Sequence, residues 1–432
     1  MNVYQYTNRQ QLQEVLRRPL LDHAKIEKIV IPILDKVKRG GDRALKKLAL
    51  EYDHVELDDL WVTEYELKEA INHLSGSLKL AIGVAKQNIW KFHELQKQEP
   101  LTLEVMAGVT CKRRSVPIRN VGLYIPGGTA PLFSTVLMLG IPALIAGCKN
   151  IILASPTNKF GQISPEVLYT AHLLGIKSVL KVGGAHAIAA LAYGTESVPK
   201  VDKIFGPGNQ YVMMAKQLVA KNNVAIDLPA GPSEVMIVAD EQSNIKFVAA
   251  DLLSQAEHGN DSQVVLVTQS SSIADAVISE INQQLETLPR KNLAKVSLSN
   301  SVAMIVNSKK EAIRVINFYG PEHLILNVVK PQPYIDKVYN AGSVFIGQYT
   351  PEAAGDYASG TNHSLPTNGW AKSYSGVSLD SFVKKITYQE ITKKGLKILG
   401  PTIEIMAAAE HLEGHKKAVS IRLEYIENEK GE

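Results

Sequence analysis

The chain has 432 residues, of which 45% are hydrophobic and 21% are charged, a balance typical of globular proteins that excludes wholesale disorder. Its length predicts roughly two to four domains. The 47 basic and 43 acidic residues leave a net charge of +4, which does not favour a nucleic-acid partner. Cys111 and Cys148 are too few for a disulfide framework or a cysteine-rich zinc module, so we expect a reducing, cytoplasmic setting.

The opening residues lack the basic and apolar regions of a signal peptide. Residues 130–148 carry no charge and are long enough for a membrane helix, but prolines and glycines interrupt them. A strand-like run follows at once, at residues 151–155. A helix buried against a parallel sheet has the same uncharged pattern, so we predict a buried helix and no membrane partner.

Residues 1–118 are predicted to be a mainly helical N-terminal segment. Apolar residues recur at the spacing of one buried helical face, at Ile26, Ile29, Val30, Ile33 and Val37. Pro32 should kink or begin this helix, and Gly40 and Gly41 should end it. A later run from Trp61 suggests two more helices, broken near residues 75–77.

Short apolar runs alternate with helical patterns after residue 118. The first series is NVGLYIP, NIILASP, SVLKVGG and KIFGPG, and the second is EVMIVAD, QVVLVTQ, VAMIVN, HLILNV and GSVFIG. This alternation predicts an α/β fold with parallel sheets covered on both faces. We expect one α/β module at 119–233, another at 234–378, and a helical tail at 379–432. The N-terminal segment is expected to pack on the second module.

Three glycine-bearing turns follow strands of the first series: Gly127-Gly128, Gly183-Gly184 and Gly206-Pro207-Gly208-Asn209. None matches the dinucleotide pattern G-x-G-x-x-G, and no Walker A sequence is present. Each turn alone is best interpreted as an ordinary connection from strand to helix. Together they favour a bound nucleotide or anion, because ligands of open α/β sheets bind at the carboxyl ends of strands.

Gln255 and His258 are three residues apart in LLSQAEHGND, so a helix places both side chains on one face. With Glu257 nearby they could bind a divalent metal at the helix end. Polar pairs at this spacing are common and glutamine is a rare zinc ligand, so the pair alone does not establish a metal site.

Glu322 and His323, in YGPEHLIL, lie where a turn enters a strand. An acid beside a histidine can supply two proton-transfer groups to one cleft. Adjacent residues of a strand point to opposite faces, so both can reach one ligand only if the backbone is irregular there. A local ion pair is an equally good interpretation.

Asp356 and His363 lie in a long segment rich in small polar residues, where we expect a functional loop without secondary structure of its own.

His411 and His415, beside Glu410, have the spacing of two zinc ligands on one helical face, although solvent-facing histidines share this spacing. Together the candidates favour a metal-assisted dehydrogenase, with a metal-dependent hydrolase as the rival.

Nine sequence blocks, in order, extend over nearly the whole chain: VGLYIPGGTAPLFSTVLML, KVGGAHAIAALAYGTE, KIFGPGN, DLPAGPSEV, DLLSQAEHG, FYGPEHLIL, GSVFIG, GDYASGTNHSLPT and AAAEHLEGHKKAVSIR. In these blocks the chain resembles the L-histidinol dehydrogenase family. The resemblance implies oxidation of L-histidinol through L-histidinal to L-histidine, with reduction of two NAD, as the last step of histidine biosynthesis. It also implies two incomplete Rossmann-like modules and a homodimer whose C-terminal tails cross to complete shared active sites.

The resemblance also assigns site residues, each by its position in a matching block. One zinc per subunit would bind Gln255, His258, Asp356 and His415. The substrate would contact these residues and also Ser233, His323, His363 and Glu410. NAD would contact Tyr124, His186 and Asn209; position 186 departs from the family, which commonly has glutamine there. The family pattern does not use His411, which we interpret as a surface residue.

By the same resemblance, His323 would accept the alcohol proton and Glu322 would polarise the water that attacks the aldehyde. A cysteine thiolate is the competing route for aldehyde oxidation, but neither cysteine lies in a recognisable motif with a histidine. We therefore prefer water. A non-catalytic protein that binds histidine-like ligands through zinc is the alternative of a different class.

Overall fold

A computed structural model describes residues 1–19, 22–127, 131–221, 224–229 and 231–428. Within these ranges the chain divides into a larger unit, Met1–Gln96 with Ile118–Phe382, and a smaller unit, Lys97–Pro117 with the chain from Val383 onward. The larger unit contains two parallel sheets. The smaller unit contains one antiparallel sheet and two helices.

The strands, in chain order, are β1 (Asn2–Gln5), β2 (Leu101–Met106), β3 (Val109–Pro117), β4 (Asn120–Tyr124), β5 (Asn150–Ala154), β6 (Ser178–Leu180), β7 (Lys203–Phe205), β8 (Ala225–Ile226), β9 (Glu234–Ala239), β10 (Gln263–Thr268), β11 (Val302–Ile305), β12 (His323–Asn327), β13 (Ser343–Ile346) and β14 (Val383–Ile391). Every predicted apolar run therefore forms a strand.

The α-helices are α1 (Arg9–Val15), α2 (His23–Leu48), α3 (Glu64–Glu69), α4 (Gly76–Glu94), α5 (Ser134–Ala146), α6 (Pro165–Leu173), α7 (Gly184–Tyr193), α8 (Gln210–Ala220), α9 (Ile245–Ala256), α10 (Ser271–Leu285), α11 (Lys291–Ser299), α12 (Lys309–Tyr319), α13 (Gln332–Ile335), α14 (Glu352–Tyr357), α15 (Lys393–Ala409) and α16 (Glu413–Asn428).

The first parallel sheet has the strand order β6-β5-β4-β7-β8. Helices α2, α7 and α8 cover one face, and α3 to α6 cover the other. Strands buried on both faces need apolar residues at every position, which is why their sequences are continuous apolar runs. The sheet order reverses between β4 and β7, and this switch point is where open α/β sheets bind ligands.

The second parallel sheet has the order β1-β11-β10-β9-β12-β13. Apart from β1, the second sheet has the same strand order as the first. In each sheet the strand that comes first in the chain, β4 or β9, lies in the middle, the next two strands lie on one side of it, and the last two lie on the other side. Helices α9 to α11 cover one face, and α1, α12 and α13 cover the other. The α/β fold with two parallel-sheet modules is thus confirmed.

The N-terminal segment packs on both sheets. Strand β1 pairs with β11, and Leu12 of α1 lies in the core of the second sheet. Our prediction was wrong for α2 and α4, which pack on the first sheet. The buried face of α2 also differs slightly, because Ile29 is 38% exposed whereas Leu34 is buried. The helix is interrupted at Gly41, whose φ is 49°.

The smaller unit has an antiparallel sheet of order β14-β3-β2. Cys111 lies in β3. The helical tail is confirmed by α15 and α16, but β14 corrects our expectation of helix throughout 379–432. Most side chains of β14 are exposed, so the strand lacks the apolar signal that identified the others.

Helix α5 accounts for the uncharged stretch at 130–148. Its residues from Ser134 to Ala143 are buried, so the uncharged sequence reflects the protein core, as predicted. Among the described helices, none has both the length and the apolar character needed to cross a membrane.

Candidate active site

Glu322 and His323 lie at the amino edge of the second sheet. His323 is the first residue of β12, and Glu322 belongs to the bend before it, so the two do not alternate along one regular strand. Both side chains are buried, and Glu322 Oε2 lies 3.6 Å from His323 Nδ1. The backbone is therefore irregular at this point, so the side chains of Glu322 and His323 can both reach one ligand.

The backbone of Glu234, the first residue of β9, binds both side chains. Its N–H donates to Glu322 Oε2 at 2.8 Å, and its carbonyl oxygen accepts from His323 Nδ1 at 3.1 Å. A carbonyl oxygen can only accept, so this contact, which is shorter than the 3.3 Å between Nδ1 and Gln255 Nε2, favours the tautomer with the proton on Nδ1 and with Nε2 as the basic nitrogen of the neutral ring. Nε2 has no hydrogen-bond partner among the described residues.

Three carboxyl groups surround the His323 ring. Besides Glu322, Glu352 Oε1 lies 3.7 Å from Nδ1 and Asp356 Oδ1 lies 3.6 Å from Nε2. Burial alone would lower the pKa of His323, but the negative charges of Glu352, Glu322 and Asp356 raise this pKa well above its ordinary value. A cation bound to these carboxylates would remove part of that effect and favour the neutral ring.

Burial also affects the neighbouring acids. It raises the pKa of Glu322 to about 8, against the opposing effects of His323 and the Glu234 N–H. It raises the pKa of Glu352 well above its ordinary value. Asp356 behaves differently, because His323 lowers its pKa and overcomes the effect of burial. The site therefore combines a carboxyl that holds a proton near neutral pH with one that stays ionised.

Metal-binding donors are present around Asp356. The ligand atoms of His323, Glu352 and Asp356 all lie within 4.8 Å of one another. Gln255, on α9, is fully buried, and its Oε1 has no hydrogen-bond partner in the described part of the chain, while its Nε2 lies 3.3 Å from His323 Nδ1. Burial lowers the pKa of His258, which favours the neutral form that a metal requires. Buried oxygen donors beside neutral imidazoles fit a divalent cation such as zinc.

Glu352 is a site residue that the sequence analysis missed. It begins α14, a short helix in the segment where we had predicted a loop, and this expectation is corrected. The helix places Glu352 and Asp356 four residues apart, on the same face. That spacing was a usable signal in the sequence, but the glycines, serines and alanines around it concealed the helix.

His363 connects this edge to the first sheet. Its Nδ1 lies 2.9 Å from the carbonyl oxygen of Asp356, and its Nε2 lies 3.2 Å from Thr135 Oγ1 in the first turn of α5. Helix α5 follows β4, so its first turn lies at the carboxyl edge of the first sheet. The carboxyl edge of one sheet thus meets the amino edge of the other at His363.

The remaining predicted substrate and zinc residues are placed as follows. Ser233 directly precedes β9, and its carbonyl oxygen accepts from the N–H of Gln263 at 3.2 Å. Glu410 and His415 belong to the smaller unit, at the end of α15 and in the first turn of α16, and both are exposed. His411 adopts a left-handed backbone, with φ 58°, between the two helices, and is also exposed.

The predicted NAD residues follow strands of the first sheet. Tyr124 ends β4, and its hydroxyl accepts from the N–H of Gly184 at 3.1 Å. His186 is buried in α7, with Nε2 3.3 Å from Asp53 Oδ2. Asn209 is exposed, and its Oδ1 caps α8 by accepting two N–H groups at 3.1 Å. Gly128 of the first predicted glycine turn lies outside the described residues.

A buried charge pair fixes the turn that contains Asn209. Gly206 donates its N–H to Asp227 Oδ2 at 2.8 Å, and its carbonyl oxygen accepts from Lys216 Nζ at 2.7 Å. Lys216 also forms an ion pair with Asp227. At Gly206, φ is +125° and a Cβ would lie 2.1 Å from the Tyr124 carbonyl oxygen, so only glycine fits.

The chain is similar to known proteins over nearly its whole length. The family model described as histidinol dehydrogenase matches residues 16–423. The chain belongs to the histidinol dehydrogenase family. Histidinol dehydrogenase from Bacteroides fragilis (strain YCH46) is 54% identical over 426 residues, covering 99% of this chain and 100% of the relative. That from Campylobacter jejuni is 50% identical over 427 residues, covering 98% and 99%.

A solved structure shows the same fold. The crystal structure of histidinol dehydrogenase from Elizabethkingia anophelis superposes with a TM-score of 0.96 at 50% identity, covering 99% of both chains.

Proposed function

We propose that this chain oxidises L-histidinol through L-histidinal to L-histidine, with zinc bound and with reduction of two NAD, as the last step of histidine biosynthesis in the cytoplasm. Family membership supports the substrate and the pathway. The observation on which the chemistry rests is the buried pair of Glu322 and His323, held by the backbone of Glu234. Among the described residues, His323 Nε2 has no hydrogen-bond partner and lies 3.6 Å from Asp356 Oδ1.

The zinc ligands in this proposal are Gln255, His258, Asp356 and His415. When bound, zinc holds and orients the amine and imidazole nitrogens of histidinol, both of which are good zinc donors. The buried, unpartnered Oε1 of Gln255 and the ionised carboxylate of Asp356 support this choice. His323 stays outside the ligand set, because a ring nitrogen that binds a metal cannot also accept a proton.

His323 accepts the alcohol proton on Nε2. Its Nδ1–H remains bound to the Glu234 carbonyl oxygen throughout, so the ring keeps its orientation. NAD held by Tyr124, His186 and Asn209 would supply the hydride acceptor for each of the two oxidations. A positioned base of this kind contributes on the order of 10²–10⁴ in rate.

Glu322 acts on the aldehyde step. Its carboxylate polarises the water that adds to the aldehyde carbon, and it takes up the proton that the water releases. With a pKa of about 8, the carboxylate is the minor form at neutral pH and increases toward alkaline pH. Once protonated by the water, the carboxyl returns that proton to the aldehyde oxygen, which completes the hydrate. Once His323 has released its first proton to solvent, it accepts the hydroxyl proton of the hydrated aldehyde as the second hydride leaves for the second NAD.

Two NAD-site features support the nucleotide contacts at Tyr124, His186 and Asn209. Tyr124 ends β4 and Asn209 follows β7, the two strands that flank the switch point of the first sheet, whereas His186 follows β6, two strands away from β4. His186 offers a ring nitrogen where the family commonly has an amide, and Asp53 holds that ring. Either side chain can form a hydrogen bond with a nucleotide.

The proposed enzyme is a homodimer in which the tails are exchanged. Glu410 and His415 of one subunit complete the site of the other. The exposure of both side chains supports this arrangement, because a zinc ligand should not remain in bulk solvent in the assembled enzyme.

Zinc analysis of purified variants tests the ligand set. His415→Ala should lower the bound zinc well below one per subunit, whereas His411→Ala, four residues earlier and also exposed, should leave it unchanged. Bound zinc should also fall as the pH is lowered from about 8 to about 5, because His258 and His415 bind only as neutral rings and histidine has a reference pKa near 6.5. Equal zinc in both variants, or a content independent of pH, would contradict the assignment.

A further inference from the structure

A large groove lies on the helical face of the second sheet, where α1 meets α12. Its volume is about 1380 Å³. Six cationic residues from four separate segments of the chain line it: Arg9, Lys309, Lys310, Arg314, Lys337 and Lys372. None of them belongs to the proposed active site.

The positive charge of this groove is not balanced by the protein. Glu311 is the only acidic residue in its lining, and its carboxylate already accepts the N–H of Asn307 at 2.7 Å. None of the six cationic side chains forms an ion pair with a described residue. The net charge of the whole chain is only +4, so the excess is concentrated here.

Concentrating like charges has a physical cost, and Lys372 shows it. Partial burial lowers the pKa of Lys372, and the positive charge of Arg18 lowers it further, against an opposing effect of Glu234; Arg9 of the groove adds the smallest lowering. The ammonium group also lies 5.4 Å from the centre of the Phe318 ring. A bound anion would offset the repulsion between these cations.

The arrangement of the cations suits an extended anion. Lys310 and Arg314 are four residues apart on α12 and therefore on the same helical face, with Phe318 four residues further. Arg9 and Lys372 approach from the other elements that line the groove. Arginine and lysine together bind phosphate groups well, arginine through two parallel hydrogen bonds.

We propose that this groove binds a small anion that carries two or more phosphate groups. Its volume exceeds that of one phosphate, and its cations lie on separate elements, so a linear polyphosphate can contact several of them at once. Tyr339, which is 78% exposed in the lining, offers a ring for a nucleobase to stack on. A nucleoside polyphosphate and a free polyphosphate share the phosphate chemistry and differ in this ring contact.

Isothermal titration of the full-length protein tests the proposal, with tripolyphosphate and ATP as the probes. Saturating NAD is added so that the nucleotide site of the first sheet is occupied. The variant is Lys310→Glu with Arg314→Glu, and the matched control is Lys25→Glu with Lys28→Glu, which makes the same change in net charge on exposed residues of α2. Circular dichroism confirms that each variant is folded.

At about 0.15 M salt, where long-range attraction is screened, the groove variant should bind tripolyphosphate at least ~10-fold more weakly than the unsubstituted protein. The control should change by less than ~2-fold, because only general charge is altered. Tighter binding of ATP than of tripolyphosphate would assign the ligand as a nucleotide, and equal binding would assign the phosphate chain alone. Absence of binding, or equal loss in both variants, would overturn the proposal.

Discussion

Arg18 forms two hydrogen bonds with the carboxylate of Glu234: Nη2 donates to Oε2 at 2.9 Å, and Nε donates to Oε1. The same guanidinium donates to the carbonyl oxygen of Tyr319 at 3.0 Å and lies 3.8 Å from the centre of its ring. The peptide of Glu234 in turn holds the proposed catalytic pair. Arg18 therefore positions the site from outside it, through the backbone at the start of β9.

Arg18→Met should reduce kcat by about 10–100-fold while changing the KM for NAD little, because a small displacement of positioned groups is costly. Arg18→Lys should recover part of this loss. Lys36→Met, which breaks the exposed pair with Glu51, is the control and should leave kcat unchanged.

Breaking a buried pair also destabilises a protein, by about 3–5 kcal/mol, because one charge is left unpaired. The double variant Arg18→Met with Glu234→Gln removes both charges and should recover much of that loss in thermal denaturation. If stability returns and kcat remains low, Arg18 has a positioning role. Full recovery of kcat together with stability would show a purely structural one.

Glu322→Gln should impair oxidation of histidinal more than oxidation of histidinol, by on the order of 10²-fold or more, because only the aldehyde step adds water. The amide oxygen of glutamine can still accept the Glu234 N–H, so the local structure is retained. Glu352→Gln is the comparison, because Glu352 contacts His323, which acts in both steps. Separate assays with histidinol and with histidinal measure the effect. Equal losses in both assays for Glu322→Gln would count against its role with water.

Replacing both cysteines with alanine should leave turnover within about 2-fold, because neither is suited to be the aldehyde nucleophile. Burial raises the pKa of Cys148 to about 12, so its thiolate is scarce at neutral pH. Cys111 lies in β3 of the smaller unit, with partial exposure. Steady-state assays of the double variant, and maleimide labelling that reaches Cys111 before Cys148, check this. A collapse of the aldehyde step would restore the thiolate route.

Mixed dimers test the proposed exchange of tails. Co-expression of the Glu322→Gln and His415→Ala chains should restore about one quarter of the activity, because half of random dimers are mixed and each mixed dimer has one intact site. In the control, a chain with Glu322→Gln is co-expressed with a chain with Gln255→Ala. Gln255 contacts His323 in the same chain, so this mixture contains no intact site and should stay inactive. Inactivity of both mixtures would show that His415 serves its own subunit or none.

The sequence predicted the parallel sheets well because each strand is buried on both faces. The run EVMIVA of β9 is buried at every residue, so its composition alone identifies it. The antiparallel sheet was harder, because β2 and β14 expose most of their side chains. The pairing of Val383 with Pro117 also joins distant parts of the chain, and no local pattern reveals it.

The sequence was sufficient to predict which residues belong to the candidate site. It was not sufficient to predict how these residues are placed relative to the two sheets. Gln255, Glu322, His323 and Asp356 were identified singly, and the resemblance grouped them. Ligands of open α/β sheets usually bind at carboxyl ends of strands, yet His323 begins β12. The packing of one sheet edge on the other, visible in the contact between Thr135 and His363, decides this position. Periodicity within each segment contains no information about that packing.

The yield of NADH per histidinol shows whether this protein carries out the full four-electron oxidation of histidinol to histidine. The purified protein is loaded with zinc, mixed with excess NAD and a limiting amount of histidinol, and followed by NADH absorbance to completion. We predict two NADH for each histidinol, with histidine as the product. One NADH would mean that the reaction ends at the aldehyde, and none would favour a zinc-dependent binding protein; either result would contradict the proposed function.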